Sequence, residues 1–137
     1  MAATNAYIDQ YRKNSVNSAS PLQLIVMLYD GALRFMNGAK VAMEARDLYK
    51  QNDQVQRAQK IVAELMSSLD MEKGGEIAQN LLSLYSFVYN RLVEANIEDR
   101  PELIEDAMLV MTQLRESWAV LEENSRSKSG LGVQDAA

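Results

Sequence analysis

Apolar residues recur three and four positions apart through most of residues 21–121, which is the spacing that lines one face of an α-helix. No segment shows the two-residue alternation of apolar and polar side chains that is typical of a β-strand. The chain has two prolines, Pro21 and Pro101, and each stands where a helix would begin, a position that needs no backbone N–H. This pattern predicts an all-α protein.

The helical pattern is interrupted at three places, so it predicts four helices. Ser20-Pro21-Leu22-Gln23 offers a hydroxyl cap, a proline in the first turn and a Gln that completes a capping box. The pattern is lost in residues 49–53, at Gly74 and Gly75, and in residues 99–101. The predicted helices span about residues 21–48, 53–70, 76–97 and 101–123. Short links in a chain of 137 residues predict one domain, an antiparallel up-down-up-down four-helix bundle.

Each of the last three predicted helices has an apolar stripe that is expected to face the core. The stripes consist of Val55, Ala58, Val62, Leu65, Met66 and Leu69 in the second helix, Ile77, Leu81, Leu84, Tyr85, Val88, Leu92 and Ala95 in the third, and Leu103, Ala107, Val110, Met111, Leu114, Trp118 and Leu121 in the fourth. Trp118 is the only tryptophan of the chain, and we expect it to anchor the bundle.

The two ends of the chain depart from this pattern. Residues 1–19 are mostly polar, yet Tyr7, Ile8 and Tyr11 would share one side of a helical turn, which predicts a lid that docks on an apolar surface. Residues 125–137 turn to Ser, Lys, Gly and Ala and predict a disordered tail. No apolar run is long enough for a secretory signal or a membrane span, so we expect a cytoplasmic protein.

The composition argues against most kinds of chemistry, because the chain contains neither Cys nor His. The usual general base and the commonest metal ligand are therefore missing, and a carboxylate-bridged metal centre in a helix bundle needs Glu-x-x-His pairs. The net charge of −5 lacks the basic footprint of a protein that binds nucleic acid or anionic membranes. We expect no enzyme activity, no cofactor, no metal site, and neither nucleic acid nor membrane as a partner.

The first helix carries two neighbouring apolar stripes where a bundle helix needs one. The first stripe consists of Leu22, Ile25, Tyr29, Leu33, Met36 and Met43. The second stripe consists of Leu24, Leu28, Gly31, Phe35, Gly38 and Ala42. Together they cover roughly 250° of the helix, against a little over 100° for an ordinary amphipathic helix. Gly31 and Gly38 each cost about 1 kcal/mol relative to Ala in a helix interior, which favours close approach of another backbone to this face.

The third helix is also broad, so the first and third helices are expected to frame one long apolar groove. The predicted partner-binding residues are Leu24, Met27, Leu28, Gly31, Phe35, Leu82, Tyr89 and Val93. One interpretation is that the other helices of the same chain cover the second stripe. Another is that a foreign polypeptide binds there, and a third is that a second copy of the chain does, as in a self-associating structural or adaptor bundle.

Several sequence blocks resemble the flagellin-specific export chaperones, the FliS family. The blocks are Tyr7, then Ser18-Ala19-Ser20-Pro21-x-x-Leu24-Ile25-x-Met27-Leu28-Tyr29-Asp30-Gly31-Ala32, Lys73-Gly74-Gly75-Glu76-Ile77-Ala78, Leu81-x-x-Leu84-Tyr85, Arg91-Leu92-x-Glu94-Ala95-Asn96 and Leu114-Arg115-x-x-Trp118. They occur in the order of the family and extend the likeness over about residues 5–122.

The resemblance implies a cytoplasmic bundle that binds the C-terminal segment of flagellin, which is unstructured before assembly. Binding of this kind prevents premature polymerisation and keeps flagellin competent for flagellar type III export. The resemblance also implies that the N-terminal segment, with Tyr7, covers part of the same surface until flagellin displaces it. Export-gate or regulatory proteins are further partners that the family suggests, and we expect a monomer or a weak homodimer.

Overall fold

The computed structural model of the protein describes residues 19–136, and side chains within residues 19–128. This part of the chain forms four α-helices and no strand: α1 Pro21–Glu44, α2 Leu48–Ser67, α3 Met71–Glu98 and α4 Pro101–Ala136. The predicted all-α four-helix bundle is confirmed. Tyr7, Ile8 and Tyr11 of the predicted lid lie outside the described residues.

The predicted capping box at the start of α1 is present. The Ser20 hydroxyl accepts a hydrogen bond from the Gln23 backbone N–H at 3.1 Å, and the Gln23 side-chain oxygen accepts one from the Ser20 N–H at 2.7 Å. Two backbone donors that the helix leaves unpaired are thereby satisfied, and Pro21 fills the first helical position. The sequence therefore sets the point at which α1 begins.

The link between α1 and α2 comes earlier than the sequence predicts. α1 ends at Glu44 instead of residue 48, and α2 begins at Leu48 instead of residue 53. α2 begins early because the Asp47 carboxylate accepts a hydrogen bond from the Lys50 N–H at 3.1 Å and caps the helix. Arg46 turns the chain before this cap by taking a left-handed conformation (φ 58°). The polar residues that follow Asp47 are helical because this cap fixes their first turn.

The two adjacent glycines lie inside α3 and kink it. Asp70 caps a first helical turn through the Lys73 N–H at 2.9 Å, so α3 begins before the glycines that were expected to precede it. Gly75 has φ 52° and ψ −128°, a conformation that side chains disfavour. The helix therefore changes direction at Gly75 and then continues to Glu98.

The fourth helix continues past the end that its composition predicts. The sequence places that end near Glu123 and a tail from residue 125, whereas the helical backbone extends to Ala136. Residues 123–128 are exposed, so this stretch does not contribute to the core. An i,i+4 ion pair between Glu122 and Arg126, at 2.6 Å, supports helical geometry there, an effect that composition alone does not show.

The helices pack in a ring. α1 packs against α2 and α4, and α3 packs against the same two helices, so α1 and α3 lie diagonally across the core. The core consists of Tyr29, Ala32, Met36, Ala39 and Met43 of α1, Val55, Ala58, Ile61, Val62 and Leu65 of α2, Tyr85, Val88, Leu92 and Ala95 of α3, and Leu103, Ile104, Ala107 and Met111 of α4. None of the helices, over the residues described, is long and apolar enough to cross a membrane.

Candidate functional site

The second apolar stripe of α1 lies along the side of the bundle where α2 packs. Leu24, Met27, Leu28 and Phe35 are half-buried, and Gly31 is buried. We call the surface made by the second stripe, Met27 and the facing side of α2 the α1–α2 flank. Four large apolar side chains are thus partly accessible on one side of the molecule.

Gly38 is one of the residues that make this apolar stripe broad, and it faces α2 of the same chain. A Cβ atom added at Gly38 would collide with the side-chain amide of Gln54 on α2. The prediction that this glycine leaves room for a foreign backbone is therefore wrong, because the space is used by α2 of the same chain. The absence of a side chain at Gly38 makes room for the Gln54 side chain of α2 against α1.

Phe35 lies between two guanidinium groups at the α1–α2 flank. The Arg34 guanidinium is 5.6 Å from the centroid of the Phe35 ring, and the Arg57 guanidinium of α2 is 5.8 Å from it. Arg57 also forms an ion pair with Asp53 at 3.0 Å. Both distances are within the range of a cation–π interaction, so an aromatic face and two cations meet at one point.

The predicted residues of α3 lie on the other flank of α2. The Gln51 side chain donates to the Asn96 side chain at 3.1 Å, which shows the side of α3 that faces α2. Leu82, Tyr89 and Val93 are half-buried and lie within about 60° of Asn96 around α3. α2 therefore separates them from the α1 residues, and the single groove between α1 and α3 that the sequence predicts is occupied by α2.

Some residues assigned to inner stripes are at the surface. Ile77 is 73% exposed, Leu84 is 37% exposed and Leu121 is 53% exposed, so the prediction that they face the core is wrong. Ile77 lines an open cavity beside the α2–α3 link together with Ile25, Leu69 and Trp118, so its inward position does not bury it. Leu84 and Leu121 lie at the edge of their stripes, beyond the arc that packing covers.

A hydrogen-bonded network joins three helices in the interior. The Trp118 indole N–H donates to the Tyr29 hydroxyl at 3.1 Å, and the Tyr29 and Tyr85 hydroxyls share a hydrogen bond of 2.5 Å. Burial raises the pKa of both hydroxyls above the ordinary value for tyrosine, and their mutual hydrogen bond raises that of Tyr29 further. These residues stay neutral and act as structural contacts, which agrees with the anchoring role expected of Trp118.

Asp30 and Arg115 belong to two of the sequence blocks, and their side chains form an ion pair in the structure. The Asp30 carboxylate accepts from the Arg115 guanidinium at 2.8 Å, which joins α1 to α4. Sequence spacing does not predict this pair. Their separation of 85 positions gives no periodic signal that would connect them.

The chemistry of this surface is that of binding. Within the described part of the chain, no group of His, Cys, Asp or Glu side chains could hold a metal ion. The α1–α2 flank instead combines half-buried apolar side chains with guanidinium groups. Such a surface suits a polypeptide with apolar side chains, which gains contact area without any covalent step.

Comparisons with known proteins agree with the blocks in the sequence. The family described as "Flagellar protein FliS" matches residues 3–125. A "Flagellar secretion chaperone FliS" of Bacillus subtilis is 32% identical over 133 residues, which covers 96% of this chain and 98% of the relative. Proteins of the same description from Campylobacter jejuni and Salmonella typhimurium are 38% and 37% identical, over 88% and 82% of this chain and 94% and 84% of their own lengths.

Proposed function

Because the chain belongs to the FliS family of flagellar secretion chaperones, we propose that it binds the C-terminal segment of flagellin in the cytoplasm. The FliS family is a chaperone family and not an enzyme family, and membership implies a secretion substrate as a partner. Bound in this way, the flagellin segment is kept from premature polymerisation and remains competent for flagellar type III export.

The observation that carries the proposal is the second apolar stripe of α1. Leu24, Met27, Leu28 and Phe35 remain half-buried although α2 packs beside them. A client that covers several hundred Å² of apolar surface gains on the order of 10 kcal/mol before costs, at about 25 cal/mol per Å². This gain offsets the entropy that an unstructured segment loses when it becomes ordered.

The position of α2 shapes the path that we propose for the client. Leu82, Tyr89 and Val93 form a second half-buried strip on α3, across α2 from the α1–α2 flank. An extended segment that uses both strips crosses the outer face of α2. The client therefore wraps part of the bundle instead of lying in one groove.

The lid is part of this proposal. Tyr7, Ile8 and Tyr11 supply apolar side chains that compete with the client for the α1–α2 flank. Deletion of residues 1–17 is expected to increase binding of a hydrophobic dye and to leave helical content nearly unchanged in circular dichroism. A loss of helical content, or unchanged dye binding, would count against the lid.

The direct test is a calorimetric titration of the full-length protein with the last forty or so residues of the flagellin made by the same cell. We expect one segment to bind one chain, and Phe35→Asp to abolish binding while helical content is retained. If Phe35→Asp unfolds the protein, the ring belongs to the core and the proposed surface is wrong. If the segment does not bind and light scattering shows a persistent dimer, the self-associating bundle is the better description.

A further inference from the structure

The open cavity beside the α2–α3 link is a concave apolar site at one end of the bundle. We call it the link cavity. All four helices line it, and its apolar residues include Ile25, Leu65, Ile77, Leu81 and Trp118. Its volume is about 260 Å³. An apolar cavity of about 150 Å³ holds a benzene molecule, so the link cavity has room for one large apolar side chain.

The hydrogen bonds of the lining decide what kind of group fits the link cavity. The polar side chains among the described lining residues already take part in hydrogen bonds within the chain, and they are Ser68, Asp70, Tyr85 and Trp118. Ser68 and Asp70 bond to the backbone of α2 and α3, and the other two bond to the Tyr29 hydroxyl. A ligand therefore finds apolar contact and few free hydrogen-bonding groups, which suits a hydrocarbon or aromatic side chain better than water or a polar group.

The start of α3 does not fill this space. Gly74 and Ala78 line the link cavity, and a Cβ atom added at Gly74 would lie 2.6 Å from the Ala78 Cβ. A side chain at Gly74 would therefore require a shift of α3. Ile77, which also lines the cavity, is 73% exposed. Its apolar surface is thus available for a side chain from outside the bundle to cover.

The link cavity borders both strips that we propose for the client. Ile25 lines it and is adjacent to Leu24 of the α1–α2 flank. Leu81 lines it and is adjacent to Leu82 of the strip on α3. Adjacent Cα atoms are about 3.8 Å apart and an extended chain rises about 3.3 Å per residue, so a client on either strip reaches the cavity within one or two residues. α2 separates the two strips but ends at Ser67, beside the cavity, which gives the client a route from one strip to the other.

We propose that the link cavity holds one large apolar side chain of the client segment, at the point where the segment crosses the C-terminal end of α2. This inference rests on the proposed function and adds a binding site to it. The two strips supply contact along the segment, and the cavity fixes which residue of the segment lies at the crossing.

The first test compares Ile77→Asp with Ile97→Asp by calorimetric titration of the full-length proteins with the natural flagellin segment. Ile97 is the matched control, because it is an isoleucine of the same helix that is 75% exposed and lies at the opposite end. Ile77→Asp should weaken binding about tenfold, since its carboxylate must lose water when an apolar side chain covers it. Ile97→Asp should weaken binding less than threefold.

Both residues are exposed, so both variants should keep the helical content of the natural protein in circular dichroism. If Ile77→Asp loses helical content, the pair Ile77→Ala and Ile97→Ala replaces it. Ile77→Ala should then weaken binding about threefold, because one apolar wall of the cavity is removed, and Ile97→Ala should leave affinity unchanged.

The second test uses Trp118, which lines the cavity and is the only tryptophan of the chain. Any tryptophan in the segment is first replaced by phenylalanine. Acrylamide quenching of Trp118 should fall at least twofold when the segment binds. When each large apolar residue of the segment is replaced by alanine in turn, one replacement should remove this protection and weaken binding about tenfold. The same replacement should cost less than threefold with Ile77→Asp, because the contact is already lost.

Three results would overturn the inference and leave the proposed function intact. The first is an equal loss of affinity in Ile77→Asp and Ile97→Asp, and the second is unchanged quenching of Trp118 when the segment binds. The third is a rise in quenching on deletion of residues 1–17 that the segment does not reverse, which would assign the cavity to the lid. In each case the natural segment still binds and Phe35→Asp still abolishes binding. If the natural segment does not bind at all, the proposed function fails and this inference fails with it.

Discussion

The two stripes of α1 differ in what surrounds them, although they share one helix. Tyr29 and Met36 on the first stripe are fully buried, and Tyr29 joins a hydrogen-bonded network with α3 and α4. Leu28 and Phe35 on the second stripe are half-buried at the α1–α2 flank, where the Arg57 guanidinium lies over the Phe35 ring. One side of α1 therefore holds the bundle together, and we propose that the other is reserved for a partner.

This difference teaches how to interpret the residues by which the family is recognised. Leu28, Tyr29 and Asp30 are adjacent in one sequence block, but the first lies at the flank, the second in the core, and the third pairs with Arg115 of α4. Residues that are adjacent in one block therefore need not share a role. Variants at these neighbouring positions should separate binding from stability.

The largest effect is expected for Leu28→Asp on client binding. A charged side chain on the apolar stripe must be desolvated when the client covers it, so affinity for the flagellin segment should fall at least 100-fold, or about 2.8 kcal/mol. Leu84→Asp on α3 is the matched control, because Leu84 is a leucine that is 37% exposed and lies away from the α1–α2 flank. Calorimetric titration of both variants measures the difference.

The same pair of variants can contradict the assignment. Leu84→Asp should change affinity by less than threefold, and both variants should keep a cooperative urea transition. If Leu84→Asp weakens binding more than Leu28→Asp does, the client surface lies between α3 and α4. If Leu28→Asp removes cooperative unfolding, the second stripe is core and the contrast between the two stripes disappears.

Tyr29→Phe should produce the reverse pattern, with stability lost and binding kept. The change removes the hydroxyl that accepts from Trp118 and bonds to Tyr85, and it leaves the half-buried indole N–H without that partner. The free energy of unfolding should fall by about 1–3 kcal/mol, measured by urea titration followed by Trp118 fluorescence. Tyr49→Phe makes the same chemical change at an 88% exposed position and should have no effect. A tenfold loss of client affinity in Tyr29→Phe would show that the first stripe also serves binding.

The same network predicts how stability depends on pH. Burial raises the pKa of the Tyr29 and Tyr85 hydroxyls above 10, so the folded state retains protons that the unfolded state releases. Stability from these groups is complete below about pH 10 and falls as the pH rises above it, by up to about 1.4 kcal/mol per pH unit for each tyrosine. Urea titrations from pH 8 to 11 should show this slope, and Tyr29→Phe/Tyr85→Phe should lack that part of it. Equal slopes in the two proteins would mean that the hydroxyls are not shielded from water.

The sequence predicts the features of this fold that depend on nearby residues. The capping box at Ser20 and the double stripe of α1 follow from spacing within one or two turns. The position of α2 between α1 and α3 does not follow, because it depends on contacts such as Gly38 with Gln54 and Gln51 with Asn96, which are distant in sequence. A helical wheel shows how wide an apolar face is, but not which neighbour covers it.

Periodicity alone also explains two kinds of wrong prediction: the helix boundaries at the α1–α2 and α2–α3 links, and the single groove between α1 and α3. Asp47 and Asp70 cap helices earlier than the apolar pattern begins, since a cap needs one carboxylate and not a periodic run. The apolar residues of α1 and α3 were assigned to one groove because both stripes are broad. The two sets of residues are separated because the four helices pack in a ring, in which α2 lies between α1 and α3.

Gly38→Ala should have the smallest effect and tests how closely the second stripe is covered. Alanine stabilises a helix interior by up to about 1 kcal/mol relative to glycine, but its Cβ would displace the Gln54 amide. That amide is the end of a flexible side chain and gives up a 3.2 Å hydrogen bond to Asp53 when it rotates away. The free energy of unfolding should therefore change by less than about 1 kcal/mol.

Gly75→Ala is the matched comparison for Gly38→Ala, because it measures how much stability is lost when alanine replaces glycine at a strained position. Gly75 has φ 52°, so an added side chain is strained there although no atom lies within 4 Å of its Cβ position, and a loss of about 1–3 kcal/mol is expected. If urea titration shows that Gly38→Ala costs as much as Gly75→Ala, the Gln54 side chain has no room to move. The α1–α2 flank would then be packed as tightly at Gly38 as the core is, and a client could use only the part of the second stripe that lies toward Leu24.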